Sequence, residues 1–129
     1  TFLPAVPPET FDAMLRVSEH AIGGPWFEVT IRAVGAGFLM ATLVWMTPGA
    51  GHSQTLVILV MTWLIAAGGF AHIVAGSIEA WFLLLNARIG IGEFVGEFLL
   101  PSLLGNIVGG TAIFALLAYA QVMKEIPAR

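Results

Sequence analysis

Gly68-Gly69-Phe70-Ala71-His72-Ile73-Val74-Ala75-Gly76-Ser77-Ile78-Glu79 is a glycine-broken, partly polar interruption in an apolar block that runs from Gln54 to Leu85. A single helix over that block would extend about 45 Å at about 1.5 Å per residue, whereas the hydrocarbon core of a bilayer is only about 30 Å thick. The paired glycine, followed closely by an imidazole, predicts two half-helices with non-helical backbone between them. Such a break survives at membrane depth only where protein or a water-filled path satisfies the freed backbone groups. A histidine at that depth is expected to belong to an ion or substrate pathway. His72 is therefore the leading candidate functional residue.

The composition agrees with a membrane setting. Of 129 residues, 58% are hydrophobic and 10% are charged. No Asp, Glu, Lys or Arg occurs from Ala33 to Ile78 or from Phe98 to Met123, and runs of that length without charge mark bilayer-spanning helices. The net charge of -3 is carried by few residues and argues neither for nor against an anionic partner. The chain has no cysteine, which removes disulfides and thiolate metal sites. It begins at Thr1 with no basic n-region, so no signal peptide is expected.

Outward from the central stretch, the chain divides into a lead-in with an interfacial helix (1–25), a three-span membrane half-domain (26–122) and a polar tail (123–129). The lead-in carries three prolines before Glu9, which favour extended backbone. From Glu9 to Ile22, Phe11, Met14, Leu15, Ser18, Ala21 and Ile22 fall on one side of a short amphipathic helix that Gly23-Gly24-Pro25 ends. The first span runs from Trp26 to Met46, with Gly35, Gly37 and Ala41 as a small-residue stripe and Arg32 close enough to one end to snorkel. Thr47 to Ser53 reads as a turn, and the broken second span follows. Asn86 to Glu97 is expected to connect to a third span over Phe98 to Val122. Pro101 would then lie in its first turn, where a missing N–H is tolerated. Gly105 and Gly109, with Gly110, form a close-packing face, and Asn106 brings an amide to membrane depth.

Several chemistries are excluded by spacing. The three histidines are far apart in sequence, so no metal-ligand pattern is present. No nucleophile–base pair is set out, which argues against an enzyme, and no basic patch suits a nucleic acid. Glu79 reads either as a pathway carboxylate or as a helix-pairing charge. Asn106 reads either as glue between helices or as a ligand contact. Glu93 and Glu97 suit a helix start, where carboxylates favour the dipole.

Taken together, Arg32-Ala33-Val34 leading to Leu43-Val44-Trp45-Met46, the Gly69-Phe70-Ala71-His72-Ile73-Val74-Ala75 block and Pro101-Ser102-Leu103-Leu104-Gly105-Asn106-Ile107-Val108-Gly109-Gly110 resemble the carboxy-terminal half of the formate/nitrite transporter family. The resemblance covers residues 9 to 122 and is to a divergent branch. It implies one inverted repeat of an aquaporin-like six-span protomer in a bacterial inner (plasma) membrane, assembled as a homopentamer with one pore per protomer. It further implies that His72 is the pore histidine, with Phe70 and Gly69 in the break, and that Ile65 lies near an apolar constriction. Small monovalent anions of weak acids, such as formate or nitrite, would be the substrates, and no cofactor is expected. The chain has Gly37 where members carry asparagine, Ala71 where they carry glutamate, and Gly76-Ser77 where they carry Asn-Met. With Asn106 and Glu79, Gly37 and Gly76 complete the candidate pathway; Gly35, Gly105, Gly109 and Gly110 are the candidate packing residues. One inverted repeat cannot enclose a pore alone, so an amino-terminal half of the same protein, or a second copy, is an expected partner within the bilayer. The alternative is a membrane scaffold or regulator that keeps the fold without transporting.

Overall fold

The computed structural model describes residues 6–123; the start of the lead-in and all of the expected polar tail beyond Met123 lie outside the described residues. Five helices account for the described chain. They are α1 (Pro8–Ile22), α2 (Trp26–Met46), α3 (Gln54–Ala67), α4 (Ile73–Leu85) and the long α5 (Ile91–Val122). Two short 3-10 turns, Thr47–Gly49 and Gly51–Ser53, link α2 to α3. Two helices are long and apolar enough to cross a bilayer, Trp26–Gly49 (α2 with the first 3-10 turn) and Ile91–Val122. With 14 and 13 residues, α3 and α4 extend only about 20 Å each and neither crosses alone.

The centre of the fold is the contact of α2 with α5, where main chain meets main chain. A Cβ added at Gly105 would run into the Thr30 carbonyl and Ala33, one at Gly109 into the Val34 carbonyl, and one at Gly37 into the backbone of Asn106. Each glycine removes the one atom that would hold the helices apart, which is how helices associate closely when hydrophobic driving force is absent. Gly110 packs more loosely, since a Cβ added there would lie 3.2 Å from the Gly37 carbonyl oxygen. Phe114 continues the seam against Phe38 at 6.1 Å and Trp45 at 6.2 Å between ring centroids. Gly35 belongs elsewhere. Residues two apart on a helix point about 200° apart, so Gly35 cannot share the Gly37 and Ala41 stripe, and it faces the ring of Phe70 instead.

α1 packs on α4 through Phe11 against Phe82, 5.6 Å between centroids. Its last turn is tied to the α4–α5 link by a 2.6 Å ion pair between Glu19 and Arg88. It ends with Gly23 extended and Gly24 at φ +129°, so the left-handed region is entered one residue beyond the cap. On the other side, Ala80 packs with Phe94 and Phe98 of α5, with Ile22 against the same cluster.

Two expected boundaries shift. The link after α4 spans only Asn86 to Gly90, because Glu93 accepts a hydrogen bond from the Gly90 N–H at 2.8 Å and opens α5 at Ile91 rather than Phe98. Pro101 is therefore interior to α5, not in a first turn. Its missing N–H and its ring's clash with the preceding turn are accommodated by a widened, π-helical stretch at Phe94–Leu99 just before it. A second widened stretch, Val108–Ile113, follows Asn106.

Candidate functional site

The helix that begins at Gln54 stops at Ala67 because Gly69 takes φ +60°, where residues with a Cβ are disfavoured. Nothing lies within 4 Å of a Cβ placed on Gly69, so the demand for glycine there is conformational. Two hydrogen bonds close the end, Phe70 N–H to Ile65 carbonyl at 3.0 Å and Gly69 N–H to Ala66 carbonyl at 3.1 Å. That pairing is a Schellman motif, and it satisfies two of the carbonyls that a helix terminus leaves open. The Phe70 ring lies between Gly35 and Gly68, either of whose Cβ atoms would come within 2.5 Å of it.

His72 starts α4. Its backbone is extended, and its Nδ1 accepts a hydrogen bond from the Ala75 N–H at 3.3 Å. A ring nitrogen that accepts has its lone pair in that bond, so the neutral imidazole carries its proton on Nε2. The cap fixes the ring and leaves an N–H donor at the positive end of the α4 dipole.

The five residues between the half-helices would otherwise expose unpaired backbone. Asn106 answers much of that need. Its Oδ1 accepts from the Ile73 N–H at 3.0 Å, while its Nδ2 donates to the Ala33 carbonyl at 2.8 Å and the Ala71 carbonyl at 3.0 Å. One amide on α5 thus pins both flanks of His72 to α2. Arg32 holds the other end of the break: its Nε donates to the Gly69 carbonyl at 2.6 Å, and its Nη atoms donate to the carbonyls of Gly23 at 3.1 Å and Ala21 at 3.4 Å.

A cavity of about 580 Å³ opens beside the break. Gly69, Phe70, Ala71 and His72 form one part of its wall, and Ile65, Thr62, Ala66 and Ala67 of α3, Ala75, Gly76 and Glu79 of α4, Met40 and Arg32 of α2, Val17, His20 and Ala21 of α1 and Phe98 of α5 form the rest. Six of the eight candidate pathway residues line this cavity. His72, Phe70, Gly69, Ile65, Gly76 and Glu79 share the cavity, and Gly76 also seats the Phe98 ring, which a Cβ would strike. Gly37 does not reach it; its place is the α2–α5 contact, because the backbone of Asn106 occupies the space a side chain would need. Asn106 likewise is outside the cavity wall, with its amide directed into the three bonds above, so the reading as glue between elements fits its geometry. A Cβ at Gly105 or Gly109 would strike the α2 backbone, as described above.

The sequence predicts a snorkelling side chain at Arg32, and the structure instead binds it to the break. The available signal was its position as the last charge before the uncharged run that begins at Ala33. Thr62 and Phe98 in the cavity wall had no signal, since each looks like an ordinary member of an apolar helix.

Among known proteins, the profile of a family described as formate/nitrite transporter matches residues 2–120. The Escherichia coli (strain K12) inner membrane protein YfdC is 41% identical over 125 residues, 97% of this chain and 40% of that protein. The Bacillus subtilis uncharacterized transporter YrhG is 26% identical over 113 residues, 86% of this chain and 42% of that protein. Formate-nitrite transporter 2 of Toxoplasma gondii is 33% identical over 102 residues, 75% of this chain and 22% of that protein. The chain thus spans well under half the length of each of these relatives. No solved structure matches it.

Proposed function

The chain belongs to the formate/nitrite transporter family, whose members are transporters rather than enzymes, and from that premise we propose that it forms part of an inner-membrane channel for small monovalent anions of weak acids. The observation that carries the proposal is His72: a capped imidazole whose Nε2–H is left as a donor in a cavity beside a stopped helix. In this reading α3 and α4 act together as one broken span, and His72 serves the anion at the break. The missing wall of the conduit is supplied by an amino-terminal half of the same protein, or by a second copy, in inverted orientation. The exposed faces of α3 and α4, including Leu59, Trp63, Val74 and Ile78, are compatible with lipid or with such a partner. A homopentameric assembly is part of the same proposal.

The energetics favour a hydrogen-bonding histidine. Moving a bare anion through an apolar constriction costs tens of kcal/mol on the idealised Born estimate and several after relaxation. Neutralising a carboxylate of pKa about 3.7 at pH 7 costs about 4 to 5 kcal/mol, at about 1.4 kcal/mol per unit. A donor at the break lowers the first cost by hydrogen bonding; the second is met by a proton from water in the cavity, since a neutral imidazole whose Nδ1 is engaged by the Ala75 N–H keeps its own Nε2 proton. The partial positive charge at the start of α4 acts in the same direction.

The test is His72→Asn in the full-length protein. Asparagine keeps an acceptor for the Ala75 N–H and so keeps the cap, but it removes the imidazole donor. Formate flux into proteoliposomes is expected to fall at least tenfold while thermal stability is retained. Unchanged flux would reject the role of His72. Absence of formate and nitrite flux in the unsubstituted protein would favour the non-transporting scaffold.

A further inference from the structure

We propose that Arg32 is an anion-recruiting residue of the cavity, the fixed cation against which a small monovalent anion docks before it meets His72; the inference rests on the transport reading above. A guanidinium presents five N–H donors in a planar fork. Three of those of Arg32 are held by the carbonyls of Gly69, Gly23 and Ala21, and two remain, while the side chain forms part of the cavity wall. Its charge is met by carbonyl dipoles, not by a carboxylate. Among the described residues, the only ion pair is Glu19 with Arg88. Glu79 shares the cavity and Glu28 lies one turn earlier on α2, yet neither is paired with Arg32.

A part-buried cation without an anionic partner is costly to maintain, and the cost is offset when an anion enters. The three carbonyls make arginine, and not lysine, the residue that can be held rigidly here: a planar fork serves several acceptors at once, whereas an ammonium is a point charge on a flexible stem. Because one of those acceptors is Gly69, the cation is fixed relative to the break itself. His20 and His72 stand in the same wall, and Glu79 is the one carboxylate there, placed on α4 just under one turn beyond Gly76. The arrangement brings an anion in on Arg32 and passes it to the Nε2–H of His72, with Glu79 disfavouring anions that stray along α4.

Arg32→Gln and Arg32→Lys in the full-length protein separate charge from scaffolding, since both lose the three-carbonyl clamp and only the first loses the cation. Two readouts are taken: the formate concentration dependence of flux in proteoliposomes, and protection by formate against thermal unfolding in detergent. Both variants are expected to melt earlier than the unsubstituted protein. Arg32→Gln is expected to raise the KM for formate about tenfold or more, and Arg32→Lys to keep it within about threefold. Equal KM increases in the two variants, or an increase in neither, would overturn the inference. Should the unsubstituted protein carry no formate, the transport reading fails, and protection decides Arg32 separately. Formate shielding the unsubstituted protein and Arg32→Lys but not Arg32→Gln would support recruitment; equal shielding of Arg32→Gln would end it.

Discussion

Replacing Asn106 by alanine removes the side chain that bridges α5, the break and α2, and its cost can be worked from three bonds. The amide accepts from Ile73 and donates to Ala33 and Ala71 at 2.8 to 3.0 Å. Hydrogen bonds between membrane helices are worth about 0.6 kcal/mol each on average, and about 1 kcal/mol is typical of proteins generally. Three of them amount to about 2 to 3 kcal/mol, and the orphaned Ile73 N–H adds about 1 kcal/mol more. Asn106→Asp tests the assignment more sharply. A carboxylate can still accept from Ile73, but its second oxygen would face the carbonyls of Ala33 and Ala71 with no proton between them. Aspartate is therefore expected to be at least as destabilising as alanine despite its near-identical shape. Denaturant titration of the full-length protein in mixed micelles, followed by tryptophan fluorescence, measures both. Asn106→Ala within about 0.5 kcal/mol of the unsubstituted protein, or Asn106→Asp as stable as it, would refute the bridging role. Loss of flux in Asn106→Ala without loss of stability would return Asn106 to the pathway.

Other substitutions probe the scaffold around the break. Gly109→Ala drives a methyl into the Val34 carbonyl and should cost about 1 to 3 kcal/mol by prising α2 from α5, whereas Gly92→Ala, with nothing within 4 Å, should be neutral or stabilising by up to about 1 kcal/mol; equal effects on melting would contradict the packing described. Ala87 sits at φ +53° in the turn after α4, so Ala87→Gly should raise stability by about 1 kcal/mol, and a lower melting temperature would contradict the left-handed assignment.

What could be read from the sequence follows from which signals are local. The extents of α1 and α2, and the stop and restart around Gly68 to His72, rest on proline, paired glycine and the length of apolar runs, all of which act within a few residues. The sequence places the start of α5 too late because Gly90 and Gly92 suggest a loop, while the Glu93 carboxylate that caps Gly90 makes a helix of the same residues. Pro101 is tolerated inside α5 through a widened turn, which has no sequence mark of its own. Gly35 and Gly37 looked alike as small residues, and only their angular separation on α2 sends one to Phe70 and the other to Asn106. The roles of Asn106 and Arg32 depend on residues up to 73 positions away in the chain, and no local pattern carries that information.

The absence of cysteine from this chain allows a direct probe of the break. Single cysteines are placed at Ala75, in the cavity wall, and at Ile78, exposed but outside it, in a full-length protein otherwise free of cysteine. A membrane-impermeant thiol reagent is then applied in proteoliposomes. Water beside His72 predicts rapid labelling at Ala75 that formate slows, with little labelling at Ile78; an unreactive cysteine at Ala75, or equal reactivity at both positions, would contradict a conduit at the break.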